Sequence, residues 1–488
     1  MAATLSSVHA VVLEHRERNK KSSRADIERF IQESELKLAS LESQISALIE
    51  LRDRERTCVA TLKDLIAPIH TLPVELLPEI FEVAIRAESH VEDALQISQV
   101  CSGWRQVSHS TPRLWTGKMW INLREDTHGD REQVYVDELK AWLLRSVPLT
   151  IPITLVLDSE SINNRILDEV MRTAPRWRSL TLKMESEAPA PSFVSRLAES
   201  KLNNLEELGL LRFDKDVDRA ALLSFTTAPR LRKLEILSNF LPMSMPWSRL
   251  TGLTFTSSTL TVLDILAQCP NLIQAVVRAA GWNVLPQARR DILTLSHLRT
   301  LDLRFRDGQH FVPLSDCLSA PALEELYLDF WNRETDRLFW TSAHFTAFQL
   351  RAANITQLGF EDSLLTVDDL KIAIHHAPSL THLTLDNCGA CFDDAFANAL
   401  CYKPDTTPLA PNLHHFVLFR FDFGDNFTED TLARMIVSRW WTDTELASRL
   451  VPPAVARWTH VELNGNRYLG EELADMLKDL PSDVLILL

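Results

Sequence analysis

Pro321-Ala322-Leu323-Glu324-Glu325-Leu326-Tyr327-Leu328 is the stretch that decides how this chain is read. From Leu323 it runs apolar, two variable residues, apolar, one variable residue, apolar. The phrase returns as Leu231-x-x-Leu234-x-Ile236 and Leu380-x-x-Leu383-x-Leu385. Alternation at its end marks a short strand that buries every second side chain. Eleven copies are anchored at Trp177, Leu205, Leu231, Leu250, Leu272, Leu298, Leu323, Ile355, Leu380, Leu413 and Trp458. Anchors follow one another every 19–33 residues, except for a 45-residue interval after Leu413. A single copy has too little apolar face to be stable alone, so the copies are expected to stack as a solenoid suited to a large partner. Proline stands two residues before six anchors (Pro175, Pro229, Pro270, Pro321, Pro378, Pro411). It cannot continue a helix and drives the preceding residue to extended backbone, so each returning helix, such as 368–375, should stop before its strand. The long interval is expected to hold an insertion, a helical stretch around Trp440-Trp441.

Working outward, Leu149, Ile151, Ile153, Leu155 and Leu157 alternate as a strand expected to open and cap the array. Residues 1–25 are polar and aperiodic, a loose tail. From Ile27 apolar residues recur in steps of four and three, through Ile31, Leu38, Leu41, Ile45, Leu48, Val59, Leu62 and Ile66, with Ser34, Arg52 and Glu55 as polar members. With no glycine or proline before Pro68, residues 26–66 are read as one long helix or two abutting ones. That heptad leaves two readings open, a homodimer through the N-terminal helix or a helix folding back on the neighbouring domain.

Composition narrows the function. The net charge of −15 argues against a nucleic-acid binder or an anionic-membrane binder that relies on overall attraction. Only 12 of 488 residues are glycine, and neither a Walker-type nor a GxGxxG run occurs, so nucleotide chemistry is not expected. Seven cysteines scattered through leucine-rich sequence suit a reducing compartment. No run of 18 apolar residues exists to span a membrane, and residues 1–13 lack the basic start of a signal peptide. A cytoplasmic and/or nuclear protein is the expectation. The cluster Arg16, Arg18, Lys20, Lys21, Arg24 reads as a solvated arm or an import signal.

Between helix and array lies Pro68-Ile69-His70-Thr71-Leu72-Pro73-Val74-Glu75-Leu76-Leu77-Pro78-Glu79-Ile80-Phe81. Leu72-Pro73 is expected to open a helix striped by Leu76, Leu77, Ile80 and Phe81. A second helix is expected over 94–105, ending in Val100-Cys101-Ser102-Gly103-Trp104-Arg105, before Thr111-Pro112-Arg113-Leu114-Trp115. These residues resemble the F-box, whose pattern is LPxExLxxIF, then V-C-x-x-W-R, then P-x-L-W. In layout the chain is similar to F-box proteins with C-terminal leucine-rich repeats abundant in mushroom-forming fungi. Those carry a leading helix, a PI-x-x-LP-x-E phrase and a WL-x-RS helix, matched here by Trp142-Leu143-Leu144-Arg145-Ser146.

The resemblance implies an α+α/β chain: a long helix and helical F-box module, then a leucine-rich-repeat (α/β) solenoid. The boundaries are 1–25 tail, 26–66 heptad helix, 67–120 F-box, 121–147 helical linker and 148–488 solenoid. It also implies a Skp adaptor as partner and, through it, a cullin–RING ubiquitin ligase. The adaptor-binding set is Leu72, Pro73, Leu76, Leu77, Ile80, Phe81, Val100, Cys101, Trp104 and Trp115, more apolar surface than fifty residues can bury internally. Arg105 fits a polar rim contact or an ordinary solvated arginine.

Strand alternation puts the neighbours of the buried residues on the opposite, concave face. From residue 325 onward those rows hold carboxylates and no Lys or Arg. An unidentified target protein is therefore expected to present a basic segment to Glu325, Tyr327, Asp329, Glu361, Asp386 and Phe419. Cys388-Gly389-Ala390-Cys391 lacks a second ligand pair, so it reads as turn structure and no metal is expected. His415, within the strand phrase, is expected on the solvent face. No nucleophile elbow, HExxH or Ser/His/Asp order appears, and neither catalytic residues nor cofactors are expected. The function expected is the substrate-recognition subunit of an SCF-type ligase, the alternative being a non-catalytic scaffold outside any ligase.

Overall fold

The computed structural model describes residues 24–85, 91–124, 131–157, 162–184, 191–211, 225–237, 245–257, 262–279, 292–305, 311–330, 342–363, 365–404, 406–424, 427–449, 451–466 and 471–488. The chain divides into two compact units after Ile80.

In the first unit, α1 (Arg24–Leu65) is a single helix of 42 residues, about 63 Å long at 1.5 Å per residue. Asp26 in its first turn and Lys63 in its last complement the helix dipole. The heptad side chains Ile31, Leu38, Leu41, Ile45, Leu48, Val59 and Leu62 are exposed in the single chain. After a 3-10 turn (Pro68–Thr71), Leu72 is extended and the Leu76 amide donates to the Pro73 carbonyl at 3.0 Å. The next helix, α2 (Leu76–Ala84), therefore starts at Leu76 rather than at Leu72-Pro73. Proline forces the residue before it out of helical geometry and here closes a turn instead.

Two helices replace the one expected over 94–105. They are α3 (Val91–Val100) and α4 (Ser102–His109), with Cys101 extended between them. The Cys101 sulfur accepts from the Trp104 amide at 3.4 Å, so the cysteine acts as the cap of α4. Past a 3-10 turn (Pro112–Trp115) come β1 (Met119–Asn122) and α5 (Glu132–Arg145).

The strand β1 belongs to a 14-stranded sheet whose strands lie in sequence order, each parallel to the next. The series continues with β2 (Ile151–Leu157), β3 (Trp177–Met184), β4 (Glu207–Leu211), β5 (Lys233–Leu237), β6 (Gly252–Ser257) and β7 (Gln274–Ala279). It ends with β8 (Thr300–Phe305), β9 (Glu325–Phe330), β10 (Gln357–Glu361), β11 (His382–Asp386), β12 (His415–Phe421), β13 (His460–Gly465) and β14 (Leu485–Leu487). The strand expected to open the array, β2, is thus second. Met119 pairs with Ile153, which places β1 outside it within a stretch expected to be module end and helical linker. Parallel neighbours need crossovers of one hand, so the connecting helices fall on one side of the sheet.

All eleven anchors are buried on that side. The residue after each anchor extends a backbone ladder of ten rungs: Glu206 N–H donates to Arg178 O, Arg232 to Glu206, and so on to Thr459 donating to His414. Asparagines before the anchors add side-chain rungs, Asn204 to Pro175 O (2.8 Å), Asn354 to Pro321 O (2.7 Å) and Asn412 to Pro378 O (3.0 Å). Register is therefore fixed at the start of each strand before its apolar face engages.

The 45-residue interval holds two helices, Glu429–Ser438 and Asp443–Ser448. Trp440 and Trp441 lie between them, because Thr442 and Glu445 form a capping box that starts the second helix. Fully buried Arg439 packs beneath, donating to the carbonyls of Leu400, Ala410, Leu413 and Leu409. Burial pushes its guanidinium down to about 10.

Candidate functional site

Helical spacing sorts the expected adaptor-binding residues into two kinds. On α2, Leu76, Ile80 and Val83 stand at i, i+4 and i+7 and form one stripe, 47%, 39% and 86% exposed. Leu77 and Phe81 lie on the other side and are buried. Val83 lies outside the expected set, although its spacing from Leu76 was readable. Before the helix, Leu72 is half-buried and Pro73 exposed.

In the second unit, the Phe81 ring rests 4.7 Å from that of Trp104, and the Trp104 side chain is half-buried. Trp115 is fully buried, its indole N–H donating to Ser108 O at 2.7 Å and the Arg145 guanidinium lying 4.6 Å from its ring. Leu77, Phe81 and Trp115, expected on a docking face, are internal. Large aromatics in a small helical module are what its own core consumes first. Val100 (60% exposed) and Cys101 remain at the surface. Arg105 donates from Nε to the Ser98 carbonyl at 3.1 Å, so it also holds α3 and α4 together.

The face of the sheet away from the helices carries rows in strict register. One row runs Thr300, Glu325, Gln357, His382, His415, His460. The next runs Asp302, Tyr327, Gly359, Thr384, Val417, Glu462, and the third Arg304, Asp329, Glu361, Asp386, Phe419, Asn464. Five of the six expected target-binding residues fall together at its C-terminal end or beside it. Glu325 stands apart in the first row, where Thr300 and Gln357 donate to its carboxylate at 3.1 and 3.2 Å.

The glycine at 359 explains how the middle row is built. A Cβ there would lie 2.2 Å from Cδ2 of Tyr327, so the tyrosine ring occupies the space over β10. Its hydroxyl donates to Glu361 Oε2 at 2.7 Å, and burial with this carboxylate pushes the phenol well above its usual range. Asp329 is 7% exposed and its Oδ1 finds no donor. Burial, then the charge of Glu361, raises it from 3.8 to about 6. Arg304 is fastened to Asp302, Nη2 to Oδ2 at 2.9 Å.

The rows from residue 325 onward hold no Lys or Arg, as alternation predicts, yet a cation from outside them reaches this face. Pairing between β12 and β13 shifts register between Phe419 and Phe421, and Arg420 adopts φ 50. This bulge re-aims a side chain that alternation would bury. The Arg420 guanidinium meets Glu361 Oε1 through Nη2 at 2.5 Å and Asp386 through Nε. Its pKa is raised, the Asp386 hydrogen bond being the largest cause.

His415 is half-buried on this face between His382 and His460, ring centroids 4.6 and 4.3 Å away, the latter pair stacked. Burial and the neighbouring imidazoles hold it down to about 4. Cys388 and Cys391 are buried, with Cys388 Sγ donating to Phe360 O and Cys391 Sγ to Cys388 O, both at 3.3 Å, so these sulfurs serve the turn after β11. Among the described residues, no group of three or more His, Cys, Asp or Glu is placed to hold a metal ion.

Residues 69–117 match the F-box-like family. Domains of this family generally bind the Skp adaptor and so link to cullin ligases. The chain thus carries an F-box-like domain of the kind that serves SCF-type ligases, within the residues that display the Leu76–Ile80–Val83 stripe. No curated protein matches the chain.

Proposed function

We propose that this protein is the target-recognition subunit of an SCF-type ubiquitin ligase. In this reading the F-box-like domain docks the Skp adaptor, and the parallel sheet acts as a leucine-rich-repeat solenoid that holds a target protein. The observation that carries it is the apolar stripe on α2, exposed inside a matched F-box-like domain. Apolar side chains arrayed this way on a small module are normally covered by a partner. Leu76 and Ile80 are the anchors on the first unit, and Val100 is an exposed contact on the second, whose own core holds Phe81 and Trp115.

The chain itself needs no catalytic group. It contributes proximity, keeping target lysines beside the charged ubiquitin carrier at high effective concentration. The target meets the exposed sheet face at Tyr327, Asp329, Glu361, Asp386 and Phe419, with Glu325 in the neighbouring row, and its segment there is basic. The exposed heptad seam of α1 further supports pairing of two copies through that helix.

Reconstitution tests this. Purified chain mixed with purified Skp adaptor and cullin should form a ternary complex. Leu76→Ala with Ile80→Ala should weaken it at least thirty-fold, since a buried interface anchor is typically worth about 2 kcal/mol or more. A chain that binds adaptor but excludes cullin is a scaffold outside the ligase. One that binds neither overturns the proposal.

A further inference from the structure

We infer that the sheet face around Glu361 is a seat for the guanidinium of an arginine on the target protein, and that Arg420 occupies this seat in the free chain. The inference rests on reading that face as the target surface, and it adds which side chain is recognised and what competes for the place.

Charge is the first argument. Asp329, Glu361 and Asp386 lie against Arg304 and Arg420, and Arg304 is fastened to Asp302. These four carboxylates outnumber the two arginines that pair with them. Asp329 lies directly beside Glu361 in register, more than nine-tenths buried, with an oxygen that lacks a donor. Buried carboxylates are normally paired, so this cluster has room in its bonding for another cation.

The shape of that cation is shown by the arginine already present. Nε and Nη2 of Arg420 span Asp386 and Glu361 on adjacent strands, a fork that an ammonium cannot reproduce. Glu361 is aimed for the task, since its second oxygen is held by the Tyr327 hydroxyl.

Arg420 is also poorly suited to its own backbone position. The equivalent residues after β10 and β11 are Asp362 and Asn387, at φ 49 and 54, and both types tolerate the left-handed region. At 420 an arginine takes that conformation, and its side chain remains 44% exposed. A strained, solvent-accessible occupant is one that an incoming arginine can displace.

The test uses the full chain in about 150 mM salt, where exposed charges are largely screened, with two dye-labelled, acetylated probe peptides, one alternating glycine with arginine and the other glycine with lysine. Arg420→Gly suits the positive φ, and Arg420→Asn copies Asn387 as a second variant. Both should bind the arginine peptide at least ten-fold more tightly than the parent, and at least five-fold more tightly than they bind the lysine peptide. Adding Glu361→Gln and Asp386→Asn should abolish the gain. Equal gains for both peptides, no gain in either variant, or a gain that survives loss of the carboxylates would overturn the inference. A natural target that ignores the sheet face while the probes behave as stated removes the target reading and leaves the seat intact. The reverse result removes the seat alone.

Discussion

Replacing Asp329 by asparagine should stabilise the protein, and should do so most at alkaline pH. The buried carboxyl titrates near 6 in the folded chain against 3.8 for an ordinary aspartate. An acid whose folded value is raised costs stability wherever the unfolded chain is ionised and the folded site resists ionisation. That cost is complete above about pH 7, shrinks as the pH falls through 6, and vanishes below 3.8. At about 1.4 kcal/mol per pKa unit, it amounts to about 3 kcal/mol at pH 8, roughly half that at pH 5, and well under about 1 kcal/mol at pH 4. Asparagine keeps the shape and carries no charge. The thermal midpoint of the variant should therefore exceed the parent's at pH 8 by about twice the margin seen at pH 5. Comparing the two margins avoids needing the size of the cooperative unit, which is ill-defined in a long array. A margin independent of pH, or a variant less stable at pH 8, would refute the assignment of Asp329 as a buried carboxylate without a donor.

The same geometry makes three more outcomes testable. Gly359→Ala drives a methyl into the Tyr327 ring and breaks its bond to Glu361, a cost of about 1–3 kcal/mol. In a Tyr327→Ser background, denaturant unfolding should show that cost largely gone. His415 is held down to about 4, so the histidine column is sound above pH 6.5 and loses stability as the pH falls from there through 4. An NMR titration of His415 with its midpoint near 6.5 would contradict the stacking. Thiol labelling of the native chain should modify Cys58 and Cys101 quickly, while buried Cys269, pushed up to about 12, and Cys391 react only after unfolding. Rapid reaction at four or more sites would disagree with the fold.

The strand core was legible because its signal is periodic. Each anchor from Trp177 to Trp458 heads a strand, since burial of alternate apolar residues acts locally and repeats. Met119–Asn122 was missed because four residues offer too little alternation to separate a strand from a linker. The asparagine rungs, present before Leu205, Ile355 and Leu413, were visible but carry no hydrophobic pattern. In the F-box-like segment, the motif gave residue identities without saying which of them face outward. Val83 was overlooked and Trp115 placed outside, because a motif records identity whereas exposure depends on how the helix turns. Arg420 was beyond reach of alternation, since a single left-handed residue after Phe419 breaks the rule used to assign faces.

The in-register rows also set a ruler. Neighbouring strands lie about 4.8 Å apart, so chemical groups recur across the sheet at that interval. A fully extended partner laid across the strands presents same-side groups about 6.8 Å apart and falls out of phase at the second column. A helical partner advances about 5.4 Å per turn and slips by only about 0.6 Å per column. Across Asp329, Glu361 and Asp386, a partner that touches all three columns in succession keeps step as a coil of helix far better than as a straightened chain.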